Sequence, residues 1–107
     1  MLDDFSVKVI YFIHTVYDMY QITDYSYRRA KELNLEIFPS KRKHKKIDVY
    51  TKDGKYLASI GDTRYLDYPS ILAKDGKEIA EKHKKLYHAR HKNNIGIAGK
   101  LALFLLW

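Results

Sequence analysis

The chain contains no cysteine, which excludes disulfides and any thiolate metal site, a zinc finger included, and suits a reducing compartment. It has no glycine-rich phosphate loop, no Gly-x-Ser-x-Gly elbow and no His-Glu-x-x-His helix, so the common sequence signatures of nucleotide hydrolysis, acyl transfer and metalloprotease chemistry are missing. Met1–Asp4 lacks the basic start of a secretory signal. Long apolar runs are missing too. Val7–Tyr20 is interrupted by Lys8, His14 and Asp18, and the terminal run from Ile95 to Trp107 carries Lys100. Both fall short of the roughly 20 apolar residues that span a bilayer, so no membrane partner is expected.

What is present is charge of one sign, unevenly placed. Residues 1–24 hold one lysine against four aspartates, whereas residues 25–107 hold 19 Lys/Arg against nine Asp/Glu. The basic character belongs to the second part, and a field of that sign attracts phosphates, an anionic surface or an acidic protein. At 107 residues, with 46% hydrophobic and 31% charged side chains, the chain is long enough for one core and too short for two. We divide it into an apolar, acidic segment at 1–24, a docking element, and a basic domain at 25–107.

Hydrophobic spacing sets the expected elements. Phe5, Val9, Phe12, Ile13, Val16 and Tyr20 recur at close to 3.6 residues, a helix signal, but the β-branched and aromatic content of the same stretch leaves a strand open. Asp24 or Ser26 is placed to cap a short helix through Leu33, with Asn34 as a left-handed stop. Pro39 breaks that helix and forces Phe38 into an extended conformation. Ile47–Thr51 alternates, Lys52-Asp53-Gly54 turns and Lys55–Ile60 alternates back, which predicts a β-hairpin. Pro69 suits the first turn of a further helix, interrupted at Asp75-Gly76. From Lys77 onward Ile79, His83, Leu86, Tyr87 and Arg90 share one helical face. The expected fold class is α+β: a hairpin or small antiparallel sheet packed against two or three helices, with Leu106 and Trp107 closing the core.

The segments Tyr27-Arg28-Arg29-Ala30, Pro39-Ser40, Lys46-Ile47-Asp48-Val49-Tyr50, Ser59-Ile60-Gly61-Asp62, Asp67-Tyr68-Pro69, Leu86 to Lys92 and Leu105-Leu106-Trp107 resemble a group of small basic proteins from large DNA viruses and tailed phages. The resemblance covers about residues 25–107 and leaves the first 24 outside it. It implies a viral origin, with the host cytoplasm or the virion as location. It carries no assigned activity and hence no mechanism.

The candidate binding residues follow from charge and aromatic content. Lys41, Arg42, Lys43, His44, Lys45 and Lys46 form six residues with no carboxylate among them. Beside Tyr50 and Tyr56 they offer phosphate contacts with an aromatic stacking option. Lys84, Lys85, Arg90 and Lys92 add a second basic element, and the two together would neutralise roughly four to eight phosphates. His83, His88 and His91 are set among lysines that repel a cation, so no metal and no cofactor are expected. Asp62, Arg64 and Asp67 could be read as acid–base machinery, but the simpler reading makes Asp67 a helix cap and Arg64 the partner of Asp62. No enzymatic activity is expected.

Tyrosine is enriched at interfaces because its ring buries while its hydroxyl stays wet. Tyr11, Tyr17 and Tyr20 therefore mark the first segment as a contact surface for another copy of the chain or for a different viral protein. Two functions follow. One is a nucleic-acid-binding protein that contacts phosphates with little sequence preference. The other is a virion structural or accessory protein whose basic face meets an acidic capsid surface. Deletion of residues 1–24 separates them, leaving binding intact in the first case and abolishing assembly in the second.

Overall fold

The computed structural model describes residues 19–93 and 96–107. Tyr11, Tyr17 and the helix-or-strand question over the first segment lie outside the described residues. The chain runs α1 (Asp24–Glu32), β1 (Leu35–Pro39), β2 (Ile47–Thr51), β3 (Tyr56–Ile60), α2 (Tyr68–Asp75), α3 (Lys77–His91) and α4 (Ile97–Leu106). The α+β class is as expected, with four helices among the described residues.

Thr23, rather than Asp24 or Ser26, caps α1: its hydroxyl accepts from the Ser26 amide at 3.3 Å. Asn34, at φ 56°, supplies the left-handed stop. The chain then enters β1, an element that the proline at its end had disguised as a simple break. Pro39 needs no ladder donor there, because it occupies the strand terminus opposite Ile47.

The strands form an antiparallel meander in the order β1-β2-β3. Ile37 lies opposite Val49, and Val49 opposite Ala58, while Ile47 lies opposite Ile60. All five are buried, and they make the inner face of the sheet. α1 packs beside β1, and α4 packs across β3 and α1, adding Ala30, Leu101, Leu105, Leu106 and Trp107 to the core. At about 25 cal/mol per Å² of apolar surface, burial on this face is the dominant favourable contribution to folding.

Three side chains fasten the end of α4. Ser26 Oγ donates to the Leu105 carbonyl at 2.6 Å, Arg29 Nε donates to the Phe104 carbonyl, and His88 Nε2 donates to the Trp107 carbonyl at 3.3 Å. Helix C-termini leave such carbonyls without intrahelical partners. The last turn is thereby tied to α1 and α3.

The face of α3 that Ile79, His83, Leu86, Tyr87 and Arg90 share is not, as a whole, the side that the helix buries. Ile79 and Leu86 are exposed, at 43% and 57%, whereas Ala80 is fully buried and Tyr87, His88 and His91 are half-buried. Ala80 belongs to the buried core and Tyr87 packs against it, so these two mark the side of α3 that turns inward. The expected boundary between residues 24 and 25 falls inside α1, and Tyr20 and Ile22 already pack against the core.

Candidate nucleic-acid interface

The outer face of the sheet carries an aromatic row with one ring from each strand. Phe38 of β1 meets Tyr50 of β2 edge-on at 5.7 Å, and Tyr50 meets Tyr56 of β3 at 5.6 Å. Phe38 is 50% exposed and Tyr56 46%. Strand alternation alone would put Tyr56 on the same side as buried Ala58. A register shift between Val49 and Tyr50 pairs Val49 with Ala58 but Tyr50 with Tyr56, so Leu57 is the extra residue of a bulge. The bulge re-aims Tyr56 outward.

Beside this row Asp48 organises the β1–β2 loop. Its Oδ1 accepts from Ser40 Oγ and Ser59 Oγ, each at 2.6 Å. The Arg42 amide donates to Ser40 Oγ at 3.1 Å, and Arg42 Nη1 reaches the Tyr56 hydroxyl at 3.4 Å. Partial burial raises the Asp48 carboxyl, but the two serine hydroxyls, the Lys41 amide and the Arg42 charge outweigh it and hold the group below the ordinary carboxylate range. Asp48 thus stays ionised and fixes the loop that carries Lys41, Arg42, Lys43 and Lys45 at the edge of the aromatic row. All four of these basic residues are exposed.

Lys46 does something different from its neighbours. It is 4% exposed, with Nζ 2.8 Å from Asp67 Oδ2 and 5.1 Å from the centre of the Tyr20 ring. The Tyr20 hydroxyl donates to the same carboxylate oxygen at 2.6 Å. Asp67 also caps α2, as the sequence predicts, by accepting from the Ser70 amide at 3.0 Å. Lys46 is therefore an internal ion-pair partner and cannot serve as a phosphate contact. Tyr20 likewise points into the molecule and is not a free partner contact. Burial and the adjacent carboxylate push the Tyr20 hydroxyl well above the ordinary tyrosine range, so it remains a donor.

The remaining candidates do not form one face. Lys84 and Lys85 line a shallow depression with Glu81 and His88, and the Lys84 ammonium lies 4.9 Å from the Tyr68 ring centre. Arg90 turns toward a different cleft, which includes Arg64 and Lys74. Lys92 is exposed just beyond α3. Arg64 pairs with Asp62 through Nη2 to Oδ2 at 2.7 Å, the arrangement expected for a loop lock. That pairing holds the Asp62 carboxyl well below its ordinary range. Among the described residues no cluster of three His, Asp or Glu side chains could hold a metal ion, and no helix is long and apolar enough to cross a membrane.

Phe38 is the one ring of the aromatic row that the charge and aromatic content of the sequence did not single out. The alternation of Leu35, Glu36, Ile37 and Phe38 was the available signal. In comparisons with known proteins, no family model matches this chain, and neither a curated protein nor a solved structure matches it.

Proposed function

We propose that this chain is a small basic protein, virus- or phage-encoded as its resemblance implies, that binds single-stranded nucleic acid with little sequence preference. The observation that carries the reading is the Phe38–Tyr50–Tyr56 row, with Phe38 and Tyr56 exposed and Tyr50 half-buried between them, beside the loop bearing Lys41, Arg42, Lys43 and Lys45. Bases stack on exposed rings whatever their identity, at about 1–3 kcal/mol per base, while lysine and arginine follow the phosphates. A duplex keeps its base faces stacked inside and cannot use such a row.

Fluorescence anisotropy of a labelled 30-mer, single- and double-stranded, at several salt concentrations tests this. The expected result is preferential single-strand binding that weakens steeply with salt. Phe38→Ala and Tyr50→Ala should each weaken it, and neutralising Lys41, Arg42, Lys43 and Lys45 to glutamine should flatten the salt dependence. Equal affinity for both forms, unchanged by the aromatic substitutions, would sink the stacking role. No binding to either form would turn attention to an acidic viral protein surface.

A further inference from the structure

The Gly61–Leu66 loop, α2, α3 and the end of α4 surround a half-open cleft of about 730 Å³ that shares no residue with the aromatic row. Its volume lies in the range of small-molecule sites and far exceeds what a bare inorganic anion fills. Arg64, Lys74, His83, Arg90 and His91 all line it, with Lys46 among the lining residues. The Arg64 and Lys46 charges are already balanced, by Asp62 and Asp67. Lys74 and Arg90 have no carboxylate within ion-pair distance among the described residues. Asp75, the other lining carboxylate, directly follows Lys74 in the chain. Two unbalanced cations thus approach one cleft from two helices.

The walls combine this charge with apolar surface. Tyr65, 71% exposed, and Leu66, 48% exposed, stand in the lining loop. Trp107 stacks on Tyr87 at 4.2 Å, and Tyr87 stacks on His91 at 4.2 Å. This stack gives the helical side of the cleft a rigid surface, because each ring is held by the next. A guanidinium matches a phosphate through two parallel N–H donors, and a lysine adds a point charge.

We infer that this cleft binds a phosphate monoester of nucleotide size, its phosphate held by Lys74 and Arg90 and its uncharged part lying against Tyr65 and Leu66. The site is independent of the sheet face. The same chemistry occurs in a free mononucleotide and at the phosphorylated end of a strand.

Calorimetric titration of the full-length protein with AMP, adenosine and inorganic phosphate tests the proposal. AMP is expected to bind, with adenosine roughly tenfold or more weaker, as the loss of charge-assisted hydrogen bonds implies. Arg90→Gln and Lys74→Gln alter exposed side chains and should each weaken AMP by about tenfold with the unliganded melting temperature unchanged. Phe38→Ala, on the sheet face, should leave AMP binding untouched even if it abolishes strand binding. Displacement of AMP by a 5′-phosphorylated oligonucleotide but not by its 5′-hydroxyl form identifies the strand end as the source of the phosphate. Displacement by neither identifies a free nucleotide. Equal displacement by both, equal binding of AMP and adenosine, or AMP binding unchanged in the Lys74/Arg90 double variant would overturn the proposal.

Discussion

Lys46 and Asp67 form an ion pair 2.8 Å long with side chains only 5% and 1% exposed. Two buried charges of opposite sign require each other, because either alone would sit desolvated without compensation. The Tyr20 hydroxyl and the Ser70 amide take up further acceptor capacity of the carboxylate, so the pair is held by a satisfied network.

Removing one partner should therefore cost far more than removing an exposed neighbour. Lys46→Ala or Asp67→Ala is expected to destabilise the fold by about 3–5 kcal/mol, whereas Lys43→Ala should change it by less than about 0.5 kcal/mol. Urea unfolding followed by circular dichroism measures both. A Lys46 variant as stable as the Lys43 variant would show that the pair contributes little.

The same pair makes stability depend on acid. Burial raises the Asp67 carboxyl, but hydrogen bonds from Lys46, Tyr20 and Ser70 and the Lys46 charge bring it below its ordinary value of 3.8. The folded state thus binds that proton less tightly than the unfolded state. Its contribution to stability is complete above the unfolded value and is lost as pH falls below 3.8 through the folded one. Urea midpoints at pH 7, 4 and 3 should fall more steeply for the wild type than for Asp67→Asn. Parallel curves would contradict the assignment.

Among the described glycines of positive φ, Gly61 is the one where space as well as backbone forbids a side chain. Its φ is +79°, and a Cβ would lie 2.8 Å from Leu106 Cδ1 and 2.9 Å from Lys46 Cδ. Gly61→Ala should cost about 2–4 kcal/mol, combining left-handed strain with overpacking. Gly54, at φ +90° with nothing near it, should cost only about 1–2 kcal/mol when changed to alanine. Thermal melts of the two variants check the order, and equal losses would mean that the Gly61 surroundings yield freely.

Ser26→Ala removes a buried donor and leaves the Leu105 carbonyl without its 2.6 Å partner. The expected loss is about 1–3 kcal/mol. Amide hydrogen exchange should quicken in both α1 and α4, since the bond joins them. Quickening confined to α1 would place the tie elsewhere.

The hairpin was legible because Ile47–Thr51 and Tyr56–Ile60 alternate around Asp53-Gly54, a local pattern that needs no tertiary information. The caps at Asn34 and Asp67 were legible for the same reason. β1 was not, because Pro39 weighed as a breaker while the pairing that tolerates it lies with Ile47, eight residues on. Nor could the run from Lys41 to Lys46 reveal its buried member, since the deciding carboxylate is 21 residues away. The face that Ile79, Leu86 and Tyr87 share likewise does not tell which side of α3 turns inward, since Ala80 is buried while Ile79 and Leu86 are exposed.

The unpaired residue at Leu57 is a choice between two ladders. Deleting it would leave Tyr56 beside Ala58 and still opposite Tyr50, facing outward in a regular strand. A slip that seated Leu57 opposite Tyr50 would do the reverse: an aliphatic side chain would take the outer position and Tyr56 would turn inward. The sequence of β3 thus keeps its composition, its charge and its turn in either pairing, and only the pairing decides whether three rings or two line its outer surface.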